Sequence, residues 1–510
     1  MLSSAAGAIN LSERRNLGDK AGIVVVARVI VAVAQMGTAV ALVRLLPKEE
    51  FAVVTYLLLL YQTVSTLAMC GLPQGLLYFL PRLDAAARKI FVLVTTVLLG
   101  GFGLAGSLLL LALGGWGGLV AASVPGALPL LPFIALYIVL DLPTQAATNL
   151  LIALDRVELS ARINLAFSLI TVAGLLIPTA LGLPLDRMMA IFTATAAIRL
   201  AVYLVVARRL VVRGVPGQFR DTPWREQLRS LLRFAVPLGM TSSVGMLGQQ
   251  IDKYLVSLAF STTAYAEYAA GAQEVPLVAV LPYTVATVLM PTFVEHWTAG
   301  RSREMLAVWH ASILKVALVM LPAGVLLFIC AEEYVTLFFT RNYAPAAGPA
   351  RIYVLLLALR VTAFGVILQA LGDTRAVFIV AIVSLLLNAL ASAAFIAWFG
   401  LLGAPAAAVA VQFVGVAMML AIIARHTGVR LANLFPWRGY VSILGLALLA
   451  APVAVVLRPL FPSSAAASLG IAAAGYFASF FVLASWADVI TSGDRAWLAH
   501  RLLRRRPAAS

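Results

Sequence analysis

The sequence has few charged residues and few of the side chains that perform catalysis or bind metals. Aspartate, glutamate, lysine and arginine make up only 11% of its 510 residues, and it contains two cysteines and four histidines. Soluble domains carry roughly 25% charged residues, so this class is excluded. Cys70 and Cys330 both lie inside predicted helices and form neither a disulfide framework nor a metal-binding spacing. Without an HExxH motif, a phosphate-binding loop or a Ser/His/Asp grouping, an enzyme has little support, and no cofactor is expected.

Long hydrophobic runs take the place of the missing charge. Hydrophobic residues make up 62% of the chain, and a helix needs roughly 20 consecutive apolar residues to cross the bilayer core. The sequence therefore predicts an all-α polytopic membrane protein with about 14 transmembrane helices. The predicted spans, numbered 1 to 14, are 21–43, 51–76, 90–113, 128–151, 163–182, 189–208, 234–259, 267–292, 312–331, 350–371, 377–398, 405–424, 440–457 and 467–490.

The basic residues predict the orientation. With the N-terminus placed in the cytoplasm, most of the 37 lysines and arginines fall in inner loops, as the positive-inside rule requires. Five fall in outer loops: Arg44, Lys48, Arg187, Arg341 and Arg458. Both termini are therefore predicted to be cytoplasmic. The net charge of +16 is dispersed over many inner loops, which favours contact with anionic lipid over binding of nucleic acid.

A polar segment at 211–232 divides the spans into two sets of six. The resulting organisation is a cytoplasmic segment at 1–20, an N-lobe at 21–210, the linker, a C-lobe at 233–425, spans 13 and 14 within 426–490, and a basic cytoplasmic tail at 491–510. The stretch that begins at Ala153 resembles the one that begins at Ala370. The lobes are thus predicted to be a parallel repeat, an arrangement whose interface often holds a transporter's substrate path.

Ionisable residues inside membrane spans are costly and are functional candidates by default. The basic ones can bind an anionic head group such as a pyrophosphate, because arginine and lysine favour phosphate oxygens. The candidates are Arg28, Arg199, Lys253 and Arg360. The acidic ones, which are candidates for coupling transport to protons or sodium, are Asp141, Asp252 and Glu274.

Each candidate also has a structural interpretation. Arg28 lies about two turns from the cytoplasmic end of span 1 and can snorkel to the interface. Lys253 lies at a depth similar to that of Glu274, so an internal ion pair is an alternative to ligand contact. The carboxylates can equally pair with nearby basic residues. Arg360 lies close to the middle of its span, where snorkelling is hardest.

Three segments resemble polysaccharide transporters of the multidrug/oligosaccharidyl-lipid/polysaccharide (MOP) exporter superfamily. They are RLLPKEEFAVVTYLLLLYQTVSTLAMCGLPQGLLYFLPR at 44–82, RFAVPLGMTSSVGMLGQQIDKYLVSLAFSTTAYAEYAAGAQ at 233–273 and FFTRNYAPAAGPARIYVLLLALRVTAFGVILQALGDTR at 338–375. In that family span 7 carries an aspartate followed by a basic residue, here Asp252 and Lys253. Span 10 ends in an Ala-Leu-Gly turn, here Ala370 to Gly372.

The resemblance implies two six-helix lobes in a V around a central cavity, with two appended C-terminal helices. It implies a Wzx-type flippase of the bacterial inner membrane that moves undecaprenyl-pyrophosphate-linked oligosaccharides to the outer leaflet by alternating access. The implied partners are this substrate, the lipid bilayer, a proton or sodium ion, and a polysaccharide polymerase or chain-length regulator. Three alternatives stay open: a lipid II flippase, a cation-coupled exporter of small molecules, and a polysaccharide ligase or polymerase. The first is disfavoured because span 2 has no arginine, and the second because such exporters usually have twelve spans.

Overall fold

The computed structural model describes residues 30–115, 123–212, 224–273 and 276–489, and within these ranges the chain forms helices and no strands. Fourteen apolar segments follow one another, which confirms the predicted fold class. In chain order they are Ile30–Leu45, Lys48–Met69, Ala85–Gly115, Pro125–Ala153, Val157–Ala180, Leu185–Ala207, Trp224–Ala259, Pro276–Thr298, Ser302–Ile329, Arg341–Ala370, Thr374–Phe399, Gly403–Thr427, Trp437–Leu457 and Ala465–Trp486. They keep the span numbers 1 to 14 below.

Helices form because lipid offers no hydrogen-bond partners to the backbone, so each segment must satisfy its own amides and carbonyls. The spans differ in how much protein surrounds them. In span 2, 56% of the most apolar window is buried, against 17% for the hairpin of spans 11 and 12, Thr374–Thr427. Span 2 is therefore a core helix, whereas span 11, in which only Ala376, Val380, Asn388 and Ser392 are buried, lies mostly at the surface of the protein.

Several predicted boundaries differ from the structure. Spans 7, 9 and 10 begin at Trp224, Ser302 and Arg341, nine or ten residues before their predicted starts, and two other differences mark breaks in the helix. Span 2, predicted at 51–76, ends as a helix at Met69. Cys70 and Gly71 then adopt left-handed backbone angles before a short helix, Leu72–Phe79. Span 8, predicted at 267–292, begins at Pro276 after a separate helix, Thr262–Gly271. Proline lacks an amide proton and suits a helix start rather than its interior.

The chain divides into two compact units. The first extends to Ala269 and the second from Val278 onward, with the few residues between them shared. The first unit contains spans 2 to 7 and a hydrophobic core that includes Leu72, Leu76, Leu150 and Leu231, all fully buried. The second unit contains spans 9 to 14, with the fully buried Trp309 among its largest core side chains. The lobe boundaries proposed from the linker stay a prediction.

The turns that follow spans 4 and 10 have the same geometry. At 154–156 the three amides donate to carbonyls four, three and five residues earlier, and at 371–373 they repeat this pattern. The middle residue is left-handed in both turns, with φ of 55° at Asp155 and 84° at Gly372. A left-handed residue that closes a helix in this way is a common C-terminal cap. The shared turn, 217 residues apart, supports the predicted repeat.

Candidate functional site

A buried ion pair joins span 4 to span 6. The Arg199 guanidinium lies 2.9 Å from Asp141 Oδ1, with 11% of the arginine side chain and none of the aspartate side chain exposed. Two residues that the sequence presented separately, one as a pyrophosphate ligand and one as an ion-coupling group, are therefore partners of each other. Each neutralises the charge that would otherwise be costly to bury.

Neighbouring polar groups complete the pair. Tyr61 Oη and Gln145 Nε2 donate to Asp141 Oδ2 at 2.6 and 2.7 Å. Arg199 donates to Tyr137 Oη at 3.1 Å and to Thr171 Oγ1 at 3.0 Å. A buried polar network of this kind fixes the geometry of the helices that contribute to it. Four spans, 2, 4, 5 and 6, are tied together here, which favours the structural interpretation of Asp141 and Arg199.

A ladder of polar contacts joins span 2 to span 7. Gln250 Nε2 donates to Gln62 Oε1 at 3.1 Å, and Tyr254 Oη donates to Thr63 Oγ1 at 2.7 Å. Towards the other end, Ser243 Oγ donates to a span 2 carbonyl at 3.1 Å. Hydrogen bonds between side chains of adjacent helices are a common source of helix association in lipid. We call this set the span 2–7 ladder.

Beyond the ladder, the backbone of span 7 packs directly against the turn that follows span 2. A Cβ added at Gly239 would lie 2.2 Å from the carbonyl carbon of Cys70 and 2.4 Å from the amide nitrogen of Gly71. Only glycine permits so close an approach, as in the small-residue contacts of other membrane helices. Gly71 also needs its φ of 71°, which side chains other than glycine rarely adopt.

Lys253 extends the span 2–7 ladder with a positive charge. Its Nζ donates to Gln250 Oε1 at 2.7 Å, and its side chain is only partly buried. Within the described ranges, the ammonium has no carboxylate partner. The depth of Lys253 in the membrane follows from Gln62, to which Gln250 is hydrogen-bonded. Gln62 lies 14 residues from the start of span 2 at Lys48, which is about 21 Å along a helix axis. Lys253 is therefore a membrane-embedded cation whose charge these residues do not neutralise.

Asp252 faces a different neighbour, as expected for adjacent residues that project about 100° apart on a helix. Its side chain is buried, and Tyr268 Oη donates to Oδ2 at 2.5 Å. Tyr268 belongs to the short helix Thr262–Gly271. The contact fixes that helix against span 7 and separates the role of Asp252 from that of Lys253.

Span 10 is interrupted at Arg360. The helix before it ends there with φ −86° and ψ 37°, and helical structure resumes at Phe364. Two side chains from neighbouring spans contact the interruption: Tyr440 Oη donates to the Ala358 carbonyl at 2.6 Å, and Trp309 Nε1 donates to Thr362 Oγ1 at 3.1 Å. Non-helical backbone is tolerated at membrane depth where surrounding protein satisfies its polar groups.

Span 4 is interrupted at the corresponding place. A 3₁₀ turn, Leu142–Gln145, separates two α-helical parts of the span, and the 217-residue offset places it over 359–362. It contains Thr144 and Gln145, both members of the Asp141 network. A pair of interrupted spans at equivalent positions of two repeats is a strong structural pointer to the substrate or ion site of a transporter. Each unit therefore contains one candidate position at an interrupted span, and the first unit also contains the partly buried Lys253.

Sequence reasoning from charge missed the uncharged residues around the candidate positions of the first unit. Gln62, Gln145 and Gln250 carry the hydrogen bonds that position Asp141 and Lys253. A signal was present, because an amide side chain in an apolar span is itself costly and needs partners. Arg28 and Glu274 lie outside the described residues and stay predictions.

Solved structures of MOP superfamily transporters resemble the fold. A lipid II flippase MurJ in an inward closed conformation shares 14% identity, with 94% of this chain and 99% of that chain covered and a TM-score of 0.71. An inward-facing multidrug resistance MATE family transporter shares 14% identity, with coverage of 79% and 98% and a TM-score of 0.62. A MOP superfamily transporter from Pyrococcus furiosus shares 14% identity, with coverage of 81% and 96% and a TM-score of 0.56. At this identity the likeness shows the fold alone.

Two family models each match more than half of the chain. The model described as Polysaccharide biosynthesis protein matches residues 17–297, and the model described as Lipid II flippase MurJ matches residues 161–469. The chain belongs to the polysaccharide biosynthesis protein family of the MOP superfamily. The resemblance found in the sequence is confirmed. This polysaccharide biosynthesis family member is a multi-pass membrane transporter. A comparison with curated protein sequences found no match.

Proposed function

We propose that the protein flips undecaprenyl-pyrophosphate-linked oligosaccharides from the inner to the outer leaflet of the bacterial inner membrane. Transport is by alternating access and supplies exopolysaccharide, capsule or O-antigen assembly. In this proposal the protein is a transporter and not an enzyme. The match to the polysaccharide biosynthesis family supports the substrate class. The distribution of lysine and arginine supports an orientation with both termini in the cytoplasm.

The observation that carries this proposal is the position of Lys253, a partly buried cation inside a membrane span. A cation in a membrane span needs an anion to offset its desolvation. No carboxylate among the described residues supplies one for Lys253, and the internal alternative, Glu274, lies outside those residues. The pyrophosphate of a lipid-linked sugar provides that anion, and it is present only while substrate is bound. Arg360, at the interruption of span 10, is the second proposed ligand. Arg199 is the weakest of the described basic candidates, since Asp141 already neutralises it.

A lipid II flippase is the second candidate function, because the MurJ family model covers 161–469. Both substrates carry the same polyprenyl pyrophosphate, so the basic residues do not distinguish them. The absence of arginine from span 2 favours the oligosaccharide substrate. The group attached to the pyrophosphate distinguishes the two candidates experimentally.

The deciding experiment measures leaflet movement of fluorescent lipids in proteoliposomes containing the full chain. Undecaprenyl-pyrophosphate-linked oligosaccharide and fluorescent lipid II are compared side by side, each with a proton gradient, a sodium gradient or no gradient. Faster movement of the oligosaccharide lipid supports the proposal, and the gradient arms identify the coupling ion. Movement of lipid II alone would replace the first candidate with the second. Movement of neither, with gradient-driven efflux of a cationic dye, would indicate a small-molecule exporter.

The role of Lys253 is tested by Lys253→Gln, with Lys315→Gln as the matched control because Lys315 is exposed. Hydrogen bonds to charged groups contribute roughly 1.5–3 kcal/mol, so the Lys253 variant should bind the pyrophosphate lipid roughly 10- to 100-fold more weakly. The control should bind it normally. Unchanged binding by a correctly folded Lys253→Gln protein would remove this residue from the site.

A further inference from the structure

A shallow concave surface at the end of span 12 has the chemistry of a head-group site. Its volume is about 470 Å³, and it is open to the surroundings at the join between Gly403–Thr427 and the following loop. Two arginines, Arg425 and Arg430, contribute to the lining, together with the apolar side chains of Ala421, Ala424 and Leu431. The lining therefore combines two cationic side chains with apolar ones.

The two arginines have no acidic partner in the described part of the chain. Asp373, the N-terminal cap of span 11, is already engaged. Its Oδ1 accepts the Ala376 amide proton at 2.8 Å, and its Oδ2 lies 3.3 Å from His426 Nε2. Both guanidinium groups are exposed and can take an external anion without breaking an internal contact.

The loop that carries Arg430 has the composition of a membrane–water interface. Leu431 is 52% exposed and Trp437 is 42% exposed, and Trp437 Nε1 donates to the Leu431 carbonyl at 3.3 Å. Tryptophan is enriched at the level of the lipid head groups. The concave surface thus lies where phospholipid phosphates lie, rather than in bulk solvent or in the hydrocarbon core.

We propose that this surface is a specific site for one anionic phospholipid. The two guanidinium groups bind the phosphate, with which arginine forms paired hydrogen bonds, and the alanine face of span 12 contacts the first part of the acyl chains. In the predicted orientation this end of span 12 faces the cytoplasmic leaflet, which carries the anionic lipids. The site does not depend on the transported substrate.

The test is native mass spectrometry of the purified full chain, titrated with phosphatidylglycerol or with zwitterionic phosphatidylcholine. Inorganic phosphate serves as the free-anion arm. The variant is Arg425→Gln/Arg430→Gln, and the control is Arg303→Gln, which removes an exposed arginine from the first turn of span 9. Each arginine near an anionic lipid contributes roughly a fivefold factor in affinity, so the double variant should bind phosphatidylglycerol about 25-fold more weakly. Thermal unfolding of each variant verifies that it is folded.

One retained phosphatidylglycerol per protein, lost in the double variant and kept in Arg303→Gln, supports the site. Three results overturn it: equal retention of phosphatidylcholine, unchanged retention by the folded double variant, or displacement of phosphatidylglycerol by inorganic phosphate at similar concentration. The last would show a free-anion site instead of a lipid site.

Discussion

Removing one member of the Asp141–Arg199 pair tests whether these residues hold the fold together or couple transport to an ion. Asp141→Asn removes the negative charge and leaves the Arg199 guanidinium, 11% exposed, without its counter-charge. Breaking a buried ion pair in this way destabilises proteins by about 3–5 kcal/mol. We expect Arg199→Met to cost a similar amount, because it leaves the fully buried carboxylate uncompensated.

The double variant Asp141→Asn/Arg199→Met removes both charges together. It should be more stable than the sum of the single changes predicts, by up to about 3 kcal/mol, because residues in one network are energetically coupled. The exposed pair Glu158–Arg162, with 66% and 79% of the side chains accessible, is the matched control. Glu158→Gln should change stability by at most about 0.5 kcal/mol.

Two assays are needed. Unfolding titrations in lipid–detergent micelles, followed by circular dichroism, give the free energies, and the proteoliposome assay gives transport and its gradient dependence. The structural interpretation requires unstable single variants and a double variant that regains both stability and gradient-dependent transport. A stable Asp141→Asn protein that transports without responding to any gradient would refute this reasoning and assign Asp141 to ion coupling.

Two further substitutions probe helix contacts. Gly239→Ala should destabilise the protein by about 1–3 kcal/mol, because the added Cβ meets backbone atoms. Gly245→Ala is the control: a Cβ there would have nothing within 4 Å, so the change should be neutral or stabilising by up to about 1 kcal/mol. Equal stability of the two variants would contradict the close contact at Gly239. Tyr440→Phe removes the hydrogen bond to the Ala358 carbonyl at the interruption of span 10 and should cost about 1–3 kcal/mol. Tyr283→Phe, at a tyrosine that is 54% exposed, is the control, and equal unfolding free energies of these two variants would show that Tyr440 does not stabilise the interruption.

The sequence by itself determined the membrane class, the number of spans and the family. Apolar runs of spanning length have few alternatives in lipid, where each segment must satisfy its own backbone. Span ends were less accurate, as at Cys70–Gly71 and Pro276, because a helix interruption changes backbone angles without changing hydrophobicity. The interruption of span 10 at Arg360 was invisible for the same reason.

Only the tertiary structure decided what the intramembrane charges contact. Arg199 and Lys253 are equivalent in the sequence, each a basic residue in an apolar span. Arg199 meets a carboxylate 58 positions away, while among the described residues Lys253 donates to an amide oxygen of its own helix and meets no carboxylate. Periodicity cannot determine this difference, because the partner of a buried charge depends on which helix faces it and at what depth.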